Sequence, residues 1–251
     1  MPDSSNDHVL VTGVYLPGIP NYSARISADL LSSRNWRVDL RWAAIGEGPT
    51  DDVVLERTAV QIRERVPKFA LINQLLSKVD LDRYAFVVVI DDDIELPDDF
   101  LDRFLGLQSA YELTLAAPAR THDSFIDHYF VAQLMGVAGR RTRFVEIGPV
   151  FSIRRDGFGP LLPFDEEAPM GWGLDFVWPA CLEKLGQRLG IIDATAVRHS
   201  LRKPVSGYDY DETNRAMRKF LDRNEHLSPA EAFLAIESYS MVPASAVEAR
   251  S

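Results

Sequence analysis

The apolar positions fall into runs of two kinds that alternate along the chain. Short β-branched runs read as buried strands, and longer stretches with apolar residues three and four apart read as helices. Residues 8–15 (HVLVTGVY), closed by Pro17-Gly18, form a first strand. Residues 23–33 place Ile26, Leu30 and Leu31 on one helical face, and residues 36–43 predict a second strand. Helices are expected over 53–66 and 68–79, separated by Pro67, which breaks a continuous one. Residues 84–90 (YAFVVVI) are the most apolar strand of all, and an unbroken run of this kind belongs at the centre of a sheet covered on both faces. Pro97 is expected to open the next helix, with Phe100, Leu101, Phe104 and Leu105 as its buried stripe. A strand over 113–117, an extended and bent segment over 144–154, a helix over 171–185 and a strand over 190–199 follow. Two helices close the chain, the second opened by a capping box of Ser228 and Glu231 with Pro229 in its first turn.

This alternation predicts an α/β fold, a mixed and mostly parallel sheet flanked by helices. The expected organisation is a flexible N-terminus over residues 1–7, a main domain over 8–210 and a short helical appendage over 211–251.

Charge and cysteine content narrow the function classes. A formal net charge of -10 with no long basic run argues against nucleic acid as a partner. The single cysteine, Cys181, excludes an internal disulfide framework and makes thiolate zinc sites a poor expectation; its neighbours read as a helix interior. The first seven residues are polar and acidic and do not resemble a secretion signal. No apolar run approaches the roughly 20 residues of a membrane span. A cytoplasmic protein is the simplest expectation.

The chemistry centres on Asp91-Asp92-Asp93, where the most apolar strand ends. Ligands of α/β sheets bind at the carboxyl ends of strands. Side chains alternate along a strand, so Asp91 and Asp93 project to one side and Asp92 to the other. Two such carboxylates repel, and a divalent cation relieves the repulsion, typically with substrate phosphates as further ligands. A solvated acidic loop that favours the next helix's N-terminus is the alternative, and it suits Asp98 and Asp99 better than the triplet.

A hydrophobic strand closing in DxD resembles the metal-binding motif of the GT-A glycosyltransferases. In that superfamily the motif holds a divalent ion against the diphosphate of a nucleotide sugar. The box at residues 171–176 (GWGLDF), the segment 189–199 (LGIIDATAVRH) and residues 146–152 (EIGPVFS) resemble, more narrowly, a plant and bacterial family labelled "lysine-ketoglutarate reductase trans-splicing related". The likeness covers about residues 68–199, roughly half the chain.

The resemblance implies a GT-A-like fold and a nucleotide-sugar donor whose sugar passes to a saccharide or small-molecule acceptor. It implies Mn2+ or Mg2+ on Asp91 and Asp93, with His199 completing the metal site; an imidazole ligand suits manganese better than magnesium. It implies Asp175 as the base that takes the acceptor hydroxyl's proton, provided the reaction inverts the anomeric centre. Gly173 permits a close approach there, and Trp172 offers an apolar face to a sugar ring. Thr12, Gly13 and Tyr15, at the first strand's end, fall where GT-A folds cradle the nucleotide. Lys68 matches a donor-contacting position, Asp92 shares the donor site, and Lys203 with Arg202 lies beside the diphosphate. His122 and His128, six apart, are poorly spaced for one helical face and suit an acceptor loop or the surface.

Three other readings use the same carboxylates. A haloacid-dehalogenase-type phosphatase normally opens its chain with the motif, which here stands at residue 91. A nucleotidyltransferase needs a Gly-rich basic loop after the first strand, and residues 14–22 carry no basic side chain. The presence of Asp91, Asp93, Asp175 and His199 together argues against a non-catalytic nucleotide-binding or scaffold protein.

Overall fold

A computed structural model describes residues 7–202 and 210–241. The elements run β1 (His8–Tyr15), α1 (Ser23–Leu31), β2 (Arg37–Ile45), α2 (Asp52–Leu55), β3 (Thr58–Ile62), α3 (Lys68–Leu76), β4 (Phe86–Asp91) and β5 (Ile94–Glu95). They continue with α4 (Phe100–Ala110), β6 (Leu115–Arg120), β7 (Val137–Thr142), β8 (Val150–Arg154), α5 (Phe158–Leu161) and α6 (Leu174–Lys184). The last are β9 (Leu189–His199), α7 (Tyr210–Arg223), α8 (Pro229–Ala232) and β10 (Ala235–Ser240).

One mixed sheet takes in all ten strands, in the order β10-β7-β9-β6-β8-β4-β1-β2-β3, with β5 paired to β9. The pairs β1–β2, β1–β4, β2–β3 and β6–β9 are parallel. The others are antiparallel, including β8 against both β4 and β6. β4 confirms its sequence pattern. Phe86, Val88 and Ile90 enter one core with α1 and α4, while Val87 and Val89 enter the other with α3 and α6. A strand buried on both faces has no polar face to offer water, so polar residues can appear only where it ends.

β1 has β2 on one side and β4 on the other, so the chain direction of the crossovers reverses there, and a crevice opens at the strands' carboxyl ends. Asp91 pairs in register with Val14 at that rim. Two bonds close the rim beneath Asp92: Leu16 N donates to its Oδ2 at 3.0 Å, and Tyr22 N donates to its carbonyl at 2.6 Å.

The structure departs from the periodicity at several points. Residues 53–66 are not one helix but a single turn, α2, followed by β3. β3 is a short edge strand with alternating partial burial, so its weak pattern is easily read as helical. α4 begins at Phe100 rather than at Pro97, after Asp99 in a left-handed conformation (φ 51°). β7 was not anticipated, because it carries Arg140 and Arg141; Arg140 is buried through its bidentate pairing with Asp193 at 2.9 and 3.1 Å. The expected tail helices both form, and α8 has its capping box. The tail also contributes β10, which pairs antiparallel with β7, and Phe220 of α7 enters the core. Among the described residues no helix is long and apolar enough to cross a membrane.

Gly13 shows why a small residue is needed inside β1. A Cβ there would stand 2.3 Å from the Trp42 ring and 2.5 Å from the Ile90 carbonyl oxygen, both fixed in the core. Gly13→Ala is therefore expected to lower unfolding stability by about 2 kcal/mol through overpacking. Urea denaturation followed by circular dichroism measures this; an unchanged midpoint would refute the packing argument.

Candidate active site

The crevice deepens into a cavity of about 800 Å³. Its walls come from the ends of β4, β6 and β9, the segments 125–128 and 146–149, the start of α6, and α7 with the residues after it. That volume lies in the range of small-ligand sites. Asp91, Asp93, Lys68, Trp172, Gly173, Asp175 and His199 all line it, so seven residues singled out in the sequence meet on one surface.

The acidic triplet is held by three cations or near-cations. Lys68 Nζ stands 2.5 Å from Asp91 Oδ1. Arg202 clasps Asp92 with two nitrogens, Nη2 on Oδ1 and Nη1 on Oδ2, and its Nε donates to Asp93 Oδ2 at 3.2 Å. His199 Nε2 lies 3.3 Å from the same Asp93 oxygen. These contacts divide the triplet electrostatically. Burial pushes Asp92 up to about 6, against the pull of Arg202. Burial acts the same way on Asp93, but His199 and Arg202 outweigh it and hold that carboxyl below its ordinary value. Asp93 thus stays an anion while Asp92, 2% exposed, serves the rim.

Among the described residues no three His, Cys, Asp or Glu side chains stand together as a ready metal cluster. Asp93 and His199 are the nearest approach to one, and Asp91 faces the same cavity while engaged by Lys68. Two carboxylates and an imidazole are a donor set that a borderline divalent ion accepts, so the residues fit.

Three expectations fail on burial. Thr12 is fully buried, Tyr15 is 2% exposed, and neither they nor Gly13 line the cavity. Tyr15 packs edge-on against Trp42, and its hydroxyl meets Thr58 Oγ1 at 3.0 Å; Thr12 Oγ1 reaches the Val88 carbonyl. Leu16, just beyond β1, is the residue that reaches the cavity. Asp92 likewise braces the wall instead of lining it. Lys203 lies outside the described residues; its neighbour Arg202 is in the site.

Asp175 opens α6 behind Gly173, whose φ of 95° favours glycine. A side chain at 173 would also press on Phe220 of α7, 3.1 Å away. Burial drives the Asp175 carboxyl up to about 7; nearby Glu146 adds to the rise and His128 opposes it. Its Oδ1 is buried with no hydrogen-bond partner among the described residues. Arg120, Glu146 and His128 join it, and sequence spacing did not reveal them as a group. His128 was considered only as a loop residue, and Arg120 ends a strand whose pattern was read as stopping at Ala117.

No protein-family model and no curated protein matches the sequence. Solved structures do match in fold. GalNAc-T7 with UDP, GalNAc and Mn2+ aligns with a TM-score of 0.57 and 11% identity, over 84% of this chain and 47% of that one. The mannosyltransferase PcManGT from Pyrobaculum calidifontis, in complex with GDP-Man and Mn2+, aligns at 0.54 and 17% identity, over 89% and 66%. S. aureus TarS aligns at 0.50 and 10%, over 86% and 43%. The fold is of the GT-A type. The chain spans less than half the length of GalNAc-T7 and TarS and about two thirds of PcManGT. Within the GT-A fold Asp91 and Asp93 at the end of β4 and His199 at the end of β9 open into one cavity. The narrower family likeness drawn from the 171–176 box finds no support in these matches.

Because the folded-state carboxyl of Asp175 is raised, folding favours its neutral form. The stability this confers is complete below the ordinary carboxylate range and is lost as pH rises through about 7. Asp175→Asn, which stays neutral, should therefore melt higher than wild type at pH 8, by ~2 kcal/mol after discounting for partial exposure, and equally at pH 4. Thermal melts across that range decide it; equal melting at pH 8 would place the carboxyl back in the ordinary range.

Proposed function

We propose that this chain is a divalent-metal-dependent glycosyltransferase that moves a sugar from a nucleotide-sugar donor to an acceptor hydroxyl. The observation that carries the reading is the meeting of Asp91, Asp93, His199 and Asp175 on one cavity at the carboxyl ends of β4 and β9, in a GT-A fold. Two structures that share the fold hold Mn2+, with UDP and GalNAc in one and GDP-Man in the other. The narrower family resemblance rests on the triplet, residues 146–152, the 171–176 box and the segment 189–199 that ends in His199.

Asp91, Asp93 and His199 are the residues that would hold the ion. When bound, a divalent ion supplies Lewis-acid stabilisation of the departing nucleoside diphosphate. The chain's own residues do the rest. Lys68 and Arg202, already aimed at the carboxylates, supply positive charge along the diphosphate. Asp175 receives the proton of the attacking hydroxyl at its free Oδ1, and a carboxyl poised near neutrality both takes and releases a proton readily. This role for Asp175 requires that the hydroxyl attack the face opposite the departing diphosphate, with inversion of the anomeric centre. Trp172, beside Asp175 and edge-on to Tyr210, supplies an apolar wall for a pyranose ring.

Isothermal titration of UDP and GDP, each with and without Mn2+, tests this. One nucleotide should bind only with the metal, and Asp93→Asn should weaken it at least about tenfold, the cost of losing an ionic ligand contact. Failure of every nucleoside diphosphate to bind with the metal present would overturn the reading.

A further inference from the structure

A second charged centre stands in the cavity wall apart from the triplet. Arg120 ends β6, His128 lies on the segment after it, Glu146 on the segment between β7 and β8, and Asp175 on the first turn of α6. Arg120 Nη2 donates to Glu146 Oε2 at 2.7 Å and to the Gly148 carbonyl, and His128 Nδ1 lies 3.6 Å from Glu146 Oε1. Glu146 is thereby held below its ordinary value, against its burial, by Arg120 and His128.

These bonds leave three polar atoms over. Arg120 Nη1 and Asp175 Oδ1 are buried without a hydrogen-bond partner among the described residues, and His128 Nδ1 has only its 3.6 Å approach to Glu146; all three side chains line the cavity. Arg120 is 1% exposed. Leaving a buried donor or acceptor unsatisfied costs its full desolvation penalty, so these atoms together point to a ligand that satisfies them.

The atoms are also fixed in position. Glu146 and Gly148 anchor one side of the Arg120 guanidinium. The segment bearing His128 is pinned just downstream by the buried Arg140–Asp193 pair. Arg140 donates to the carbonyls of Phe130 at 3.0 Å and Ala132 at 3.1 Å, and Asp193 Oδ1 accepts from Leu134 N at 2.8 Å. Preorganised groups of this kind bind without a further ordering cost.

We infer that Arg120, His128 and Asp175 form the recognition site for an uncharged, polyhydroxylated acceptor, a neutral saccharide. The inference rests on the glycosyl-transfer reading and deepens it by naming the acceptor class. An arginine only donates, the imidazole that Glu146 holds toward its protonated form donates, and the Asp175 carboxyl accepts and, when neutral, also donates, so the complementary ligand group is the hydroxyl, which does both. The charges disfavour the alternatives. An anionic acceptor would meet Glu146 and Asp175, with the charges of Arg120 and His128 already drawn to Glu146. A cationic acceptor would meet Arg120 itself. One segment joins this centre to the triplet. The Gly148 carbonyl takes the Arg120 bond, Lys68 Nζ lies 3.9 Å from where a Cβ of Gly148 would be, and Asp91 N donates to the Pro149 carbonyl at 2.9 Å. A saccharide on Arg120 and Asp175 therefore lies next to the Lys68–Asp91 end of the cavity.

The test uses the full chain and a panel of methyl hexosides, with methyl glucuronide and methyl glucosaminide as charged comparators, read by saturation-transfer NMR and titration. At least one neutral hexoside should bind about tenfold more tightly than either charged comparator. His128→Gln and Asp175→Asn should each weaken it by about tenfold, and His128→Gln should leave UDP–Mn2+ or GDP–Mn2+ affinity within about twofold. Arg120→Lys is the third variant, and the other two keep the test decisive if it fails to fold. Equal or tighter binding of the glucuronide or the glucosaminide would overturn the inference, as would neutral binding unchanged in both His128→Gln and Asp175→Asn, or no hexoside binding at all. Hexoside binding with this dependence but no nucleoside diphosphate binding would uphold the site and remove glycosyl transfer. Nucleotide binding without hexoside binding would do the reverse.

Discussion

Three adjacent carboxylates at the end of a strand that is apolar on both faces set the terms for everything around them. Each needs a positive partner close at hand, since the β4 core offers no solvation and mutual repulsion would otherwise neutralise them. Lys68 meets Asp91, Arg202 meets Asp92, and His199 with Arg202 meets Asp93. These partners come from the start of α3, the end of β9 and the chain just beyond it. The triplet therefore draws two sequence-distant stretches, the start of α3 and the chain at and just beyond the end of β9, to one rim, and the cavity is what lies between them. The same demand explains why Asp92 is structural although its neighbours face the ligand space: its backbone and side chain close the loop after β1.

The second centre obeys a different balance. Its charges are largely satisfied by one another, with Glu146 between Arg120 and His128, and what remains unsatisfied is hydrogen-bonding capacity. One end of the cavity is thus organised by charge and the other by hydroxyl-scale polarity. The 146–149 segment touches both, through the Arg120 bond to Gly148 and the Asp91 bond to Pro149.

Much of this was legible before any coordinates. The YAFVVVI run identified the central strand and located the triplet, and the alternation rule separated Asp91 and Asp93 from Asp92. The 171–176 box and the terminal histidine of the late strand led to Asp175 and His199. What stayed hidden had physical reasons. β10 is an edge strand with almost no burial and shows no alternation, and the alternation of β3 is confined to five residues that are at most half-buried. Arg140 looks like a surface residue in β7 until Asp193, 53 positions later, accounts for its burial. Thr12, Gly13 and Tyr15 were misplaced because position in a fold gives a strand's end but not which way each side chain turns, and Trp42 occupies the space beside Gly13. The Arg120–Glu146–His128–Asp175 group has no spacing to detect, since its members sit on four separate elements.

Gly173 ties the site to the order in which the chain assembles. It is the point where α7 seats against the start of α6, with Phe220, Leu221 and Met217 all within van der Waals reach. The strands that carry the triplet pair early in sequence, among β1, β2 and β4, whereas the α7 wall must wait for residues more than forty positions downstream of the glycine. A chain made from its N-terminus thus presents the carboxylates of β4 before it has an enclosed cavity, and the Asp175 end gains its wall only when α7 has been made and docks.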